Sequence, residues 1–180
     1  MNRKFLCLIA MVFLSPIASA GEKESGGGAI LAAEFSKTAR KAIELLSLGD
    51  QNLDYQEILS EIKNTRVLPV EEICYENPAL SSKYCEDAHY DAKNDIILFA
   101  FKKWDKMSCT EKLVLSSHEF FRAAGIEGGD YSFSGRFLDH SFVHGVDDEY
   151  KSADIYMSIR RKMAVFCEYL YAFSNERRKK

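Results

Sequence analysis

Four cysteines set the tightest limit on how this chain can fold: Cys74, Cys85, Cys109 and Cys167. They follow an N-terminal segment with the three parts of an export signal. Arg3 and Lys4 give a positive start, residues 5–14 form an apolar run, and Ala18-Ser19-Ala20 offers a small-residue cleavage site. Residues 1–20 are therefore expected to leave as a signal peptide, taking the fifth cysteine, Cys7, with them. Ten apolar residues fall short of the roughly 20 needed to span a bilayer. The mature protein is expected in the periplasm or outside the cell, where an even number of cysteines favours disulfides. Four cysteines allow three pairings. The preferred one is Cys74 with Cys85, closing a short loop, and Cys109 with Cys167, tying the start of one helix to the seam of the last. A zinc site built on these cysteines is disfavoured, because no C-x-x-C spacing occurs.

Cleavage leaves 22 basic residues against 27 acidic ones, a net charge of about −5. That balance argues against a nucleic-acid partner. The remaining chain is long enough to bury a substantial core, and its pattern divides simply. Residues 21–28 contain Gly26-Gly27-Gly28 and read as a flexible leader. Residues 29–174 read as a single globular domain, and residues 175–180 as a basic tail. The tail places cations at a helix end, where the dipole favours them.

Within the domain, residues 29–48 put Leu31, Phe35, Ala39, Ala42, Ile43 and Leu46 on one helical stripe, with Gly49 as the stop. Asp54-Tyr55-Gln56-Glu57 has the form of a capping box for a short helix. Residues 66–74 lean to a strand that Pro69 confines to a sheet edge. Residues 90–101 read as a hairpin turning at Lys93-Asn94-Asp95, whose second half is an apolar, edge-type strand. Ser108-Cys109-Thr110-Glu111 is a second capping box, opening a helix to about Ala124 that stops at Gly125. Residues 128–145 look irregular. A last helix over residues 148–174 carries Ile155, Ile159, Met163, Phe166, Cys167, Leu170 and Phe173 at helical spacing. The expectation is an α+β domain, with helices packed around a small antiparallel sheet.

Chemistry concentrates on the second capped helix, in His118-Glu119-Phe120-Phe121-Arg122. An H-E-x-x-H helix sets two imidazoles one turn apart for zinc, with the glutamate acting on metal-bound water. Here Arg122 stands where the second histidine would be, and Gly128 stands in the last position of the longer form of that motif. The order of apolar strand, short link through Trp104 and His-Glu helix resembles the zincin metalloproteases over about forty residues, 89–128. The chain also resembles a set of small exported bacterial proteins of unassigned activity. They share a helix ending in a His-Glu pair, then a Gly-Ile-Glu turn and a Tyr-x-x-Ser stretch, here His118-Glu119, Gly125-Ile126-Glu127 and Tyr131 to Ser134. That resemblance implies an extracytoplasmic protein and brings no catalytic residues with it.

Two readings of Arg122 stand side by side. In one, a fixed guanidinium has taken over from a metal's charge and, with His118, binds a carboxylate. In the other, Arg122 pairs with Glu119, Glu127 or Asp130 as an ordinary helix-surface contact. His118 has a bland reading too, as a hydrogen-bonded residue at the border of an apolar stripe. His140 and His144 lie four apart and with His118 would make a three-histidine metal site if their segment were helical. Asp139, Asp147, Asp148 and Glu149 lack calcium-loop spacing. No phosphate-binding glycine loop and no nucleophile elbow occur. The expectation is an exported, non-catalytic binding or structural domain on a degenerate metalloprotease-like scaffold, without a cofactor. Its ligand would be a small carboxylate or a protein partner held by Arg122 and His118. The alternative is a zinc-dependent hydrolase using Glu119, with His118, His140 and His144 as ligands.

Overall fold

A computed structural model describes residues 27–50, 54–77, 82–139 and 149–178. Among the described residues the elements follow in the order α1 (Gly27–Gly49), α2 (Tyr55–Asn64), β1 (Arg66–Val70), β2 (Ile73–Asn77), β3 (Ser82–Glu86), β4 (Ala88–Asp91), β5 (Ile96–Ala100), α3 (Phe101–Trp104), α4 (Cys109–Ala123), α5 (Arg136–Asp139) and α6 (Glu149–Arg178). This is the expected α+β arrangement of helices around a small sheet. Residues 1–20, most of the leader, and the segment bearing His140 and His144 lie outside the described residues. Among the described residues no helix is long and apolar enough to cross a membrane.

The main sheet has the order β1-β5-β4. Pro69 sits in β1 and cannot donate to a ladder, and β1 does occupy an edge. It runs parallel to β5, with Val67 beside Ile97, so the sheet is mixed, not purely antiparallel. The β4–β5 hairpin turns at residues 92–95, where Asp91 accepts from the Lys93 N–H at 3.0 Å and Asp95 takes a positive φ of 51°. The apolar strand β5 is central, not at an edge. Its run Ile96-Ile97-Leu98-Phe99-Ala100 buries Ile97, Phe99 and Ala100 in the core and leaves Ile96 and Leu98 half-buried. The other edge belongs to β4. A second sheet is the β2–β3 hairpin, in which Cys74 lies opposite Cys85.

The core forms where α1 and α4 cross beneath the sheet. Phe35 stacks on Phe99 at 4.6 Å and meets Trp104 at 4.9 Å and Phe120 at 6.4 Å. α4 is the pivot of the molecule, since every residue from Lys112 to Phe121 is buried. Its polar members are therefore satisfied inside. Lys112 Nζ and Trp104 Nε1 both donate to Glu34 of α1 at 3.0 Å, while Ser116 and Ser117 donate back to Lys112 and Leu113 carbonyls at 2.7 Å. α4 is buried along this length because helices cover it on more than one side.

Both helix starts follow from their caps. Asp54 accepts from the N–H groups of Gln56 and Glu57, and Ser108 with Glu111 completes a reciprocal capping box. The disulfides join Cys74 to Cys85 and Cys109 to Cys167, with Cα separations of 4.1 and 5.5 Å. These are the two pairs the sequence reading preferred. The second fastens the first turn of α4 to α6, which packs Ile159, Phe166 and Leu170 into the core.

Candidate functional site

The end of α4 explains how nine residues of sequence bring two side chains together. Gly125 takes a φ of 69°, which a side chain would disfavour. Its N–H bonds the Arg122 carbonyl at 3.1 Å and the Ile126 N–H bonds the Phe121 carbonyl at 2.8 Å. This is the Schellman pattern, and it folds the chain back along the helix it has just left. Glu127 is thereby carried under His118, and its carboxylate meets Nδ1 at 2.9 Å with both side chains buried.

Glu127 is the hub of the site. Besides Nδ1 of His118, it accepts from the N–H groups of Phe133 and Ser134 at 2.7 and 3.0 Å and from the Ser134 hydroxyl at 2.9 Å. With four donors turned on it, the carboxylate acts only as an acceptor, so Nδ1 of His118 carries the hydrogen. That leaves Nε2 as the ring nitrogen for the cleft that His118 lines. Tyr131 closes one side, its ring parallel to the imidazole with centroids 3.7 Å apart. Tyr131 holds a positive φ of 56°, unusual for an aromatic residue. Gly135 must lack a side chain here, because a Cβ would come within 2.5 Å of the Tyr131 carbonyl oxygen. Arg136 anchors the loop from behind, paired with Asp50 at the end of α1 and lying 4.6 Å from the Phe133 ring.

Glu119, one residue on, faces the free edge of β4. The Ala100 N–H bonds the Asp87 carbonyl, so alternation turns the Tyr90 N–H away from β5. That N–H donates to the Glu119 carboxylate. Arg122 reaches the same carboxylate at 3.3 Å. Burial pushes the Glu119 carboxyl above its ordinary range, against the pull of Arg122, His118, His89 and the Tyr90 N–H. Burial likewise raises the Tyr131 phenol, with Glu119 adding to the effect.

These groups line a cleft of about 400 Å³ between α4, the β3–β4 junction and the 129–131 loop. Its rim acids are engaged: Glu86 with His89 at 3.1 Å and Asp87 with Lys103 at 2.6 Å. A hollow of about 630 Å³ between α1 and α6 is larger, but it contains none of these buried, mutually oriented groups.

The residues singled out in the sequence separate clearly. His118, Glu119 and Arg122 share one cleft, and Arg122 takes Glu119 as its partner in preference to Glu127 or Asp130. The stretches behind the second resemblance, 118–119, 125–127 and 131–134, converge on the same network. His140, His144, Asp147 and Asp148 lie outside the described residues, while Glu149 opens α6. Among the described residues no group of three or more His, Cys, Asp or Glu side chains is placed to hold a metal. Sequence reasoning missed the role of Glu127 at His118, and it missed His89 at the rim. The Gly125 helix stop was the signal for the first. No known protein family, curated protein or solved structure matches the chain.

Proposed function

We propose that this is an exported, non-catalytic binding domain whose cleft takes a small carboxylate between Arg122 and His118. The observation that carries this reading is the state of Arg122. Its side chain is 31% exposed at the cleft and spends one guanidinium nitrogen on Glu119, leaving further N–H donors of its fork uncommitted. The acids around it already have partners, so the unspent capacity of the cleft is that of a donor. A ligand carboxylate seated on Arg122 would also meet Nε2 of His118, which donates when the ring is doubly protonated. Among the described residues no serine, threonine or lysine lines the cleft, and its cysteine, Cys85, is tied in a disulfide, which supports binding over nucleophilic catalysis. Export rests on the disulfides and on the N-terminal segment. The scaffold reading rests on the order of β5, α3 and α4, which is that of the zincin resemblance.

Calorimetric titration of the mature protein with succinate tests the proposal. Saturable binding is expected, weakened about tenfold or more in Arg122→Gln, since a charge-assisted bidentate contact is worth roughly 1.5–3 kcal/mol. Equal binding by the variant would overturn it.

One observation favours the zinc-hydrolase reading instead. A carboxylate on Nδ1 with Nε2 left over is how metal-binding histidines are commonly oriented. In that reading Glu119 is the base and His118, His140 and His144 are the ligands. Stoichiometric zinc in tag-free protein, lost in His118→Ala, would establish it and displace the binding reading.

A further inference from the structure

Between α1 and α6 runs a groove of about 630 Å³ that belongs to no part of the cleft described above. Its size is that of a small-molecule pocket, roughly 300–1,000 Å³. Five cations border it, Lys37, Arg40 and Lys41 from α1 and Arg161 and Lys162 from α6, although the chain as a whole is acidic. Its acid, Glu44, is already occupied by Lys41 at 3.0 Å and the Tyr55 hydroxyl at 3.1 Å. Among the described residues Arg40, Arg161 and Lys162 have no ion-pair partner. Gathering like charges raises the free energy of the fold, and packing does not require it, since Arg161 and Lys162 are exposed.

The floor is apolar. Phe166 is buried there, while Val165 and Tyr169 remain 67% and 44% exposed. Phe166, Tyr169 and Phe173 form a ladder along α6, with ring centroids 6.3 and 6.2 Å apart. The ladder passes under Lys37, whose Nζ donates to the Tyr169 hydroxyl at 2.9 Å. It then enters a second hollow of about 180 Å³, walled by Ile30, Ala33, Leu170 and Phe173. Glu34 borders that hollow, but its carboxylate is bonded to Lys112 and Trp104. The groove is thus cationic at one end and apolar at the other.

We propose that this groove binds a single-chain anionic amphiphile, a long-chain carboxylate whose head meets Arg40, Arg161 and Lys162 and whose tail follows the aromatic ladder toward Ile30. The concave shape argues for a free amphiphile over a membrane surface. A helix that rests on a bilayer projects its apolar side outward past its cations, whereas here Phe166 is buried between two helices and the cations gather toward one end of the groove.

Dodecanoate, added below its micelle-forming concentration and followed by calorimetry, is the probe. The proposal expects one dodecanoate per chain, with affinity falling about tenfold or more in Arg161→Glu/Lys162→Glu. Val165→Glu, which puts a carboxylate on the exposed floor, should weaken binding as well, and dodecyltrimethylammonium should not compete. Both variants change exposed positions, and unaltered thermal melting confirms their fold. Val165→Glu alone suffices if the double variant melts early. Failure to bind dodecanoate, unchanged affinity in the variants, or equal binding of the cationic surfactant would overturn the proposal. So would adsorption to phosphatidylglycerol vesicles without a one-to-one dodecanoate complex, which would assign the patch to a membrane surface.

Discussion

Glu127 collects donors from His118, Phe133 and Ser134, and this convergence ties the 125–135 loop to α4. A carboxylate suits the position because all its neighbours donate. In Glu127→Gln the amide oxygen can keep the Phe133 and Ser134 N–H groups, but the NH₂ then faces Nδ1 of His118. The imidazole must move its hydrogen to Nε2. The variant should fold, lose about 2 kcal/mol in urea unfolding, the value of a charge-assisted hydrogen bond, and show the other His118 tautomer in imidazole ¹⁵N spectra. An unchanged tautomer would contradict the network. Glu119 answers to pH. Its folded carboxyl titrates above the ordinary 4.5 because it is buried, so between that value and the raised one the folded protein holds more protons than the unfolded chain. Stability is then fullest below the window and falls as pH rises through it. Glu119→Gln should flatten the melting temperature across that window, and an unaltered slope would place the dependence elsewhere.

Elements differ in how openly the sequence declares them. The starts of α2 and α4 and the stop at Gly125 were legible, because caps are local chemistry. Helix α1 was legible from its stripe, and Pro69 marked the edge strand. The central place of β5 was not, since an apolar run does not say how many neighbours it has. Nor was the burial of α4, whose Lys112, Ser116, Ser117, His118 and Glu119 look like a solvated face until Glu34 and Glu127 arrive from elsewhere in the chain. Long-range pairing is invisible to periodicity. The disulfides act at this scale. By loop entropy the Cys109–Cys167 link, closing 58 residues, is worth about 4 kcal/mol, and the Cys74–Cys85 link, closing 11, about 3. Cys167 also packs against the core, whereas Cys85 lies on a two-stranded hairpin. Cys167→Ser should therefore lower the thermal midpoint further than Cys85→Ser. Equal midpoints would count against that ordering.

At the scale of the whole molecule, α4 divides two regions of opposite chemistry. Toward β4 it presents His118, Glu119 and Arg122 to a polar cleft. Its first turn is fastened to α6, which with α1 frames an apolar groove under a cationic rim. The candidate cleft was half legible in advance. His118, Glu119 and Arg122 were neighbours on one helix, but the residues that orient them, Glu127, Tyr131 and the Tyr90 N–H, come from a turn, a loop and a strand edge. The central claim is that Arg122 and His118 act together on a carboxylate. Titrating the protein with succinate while recording the His118 ring nitrogens tests it most directly. The account predicts a saturable shift at Nε2, little change at Nδ1 because Glu127 holds it, and no Nε2 shift in Arg122→Gln. An Nε2 resonance that ignores succinate in the wild-type protein, or responds equally in the variant, would contradict it.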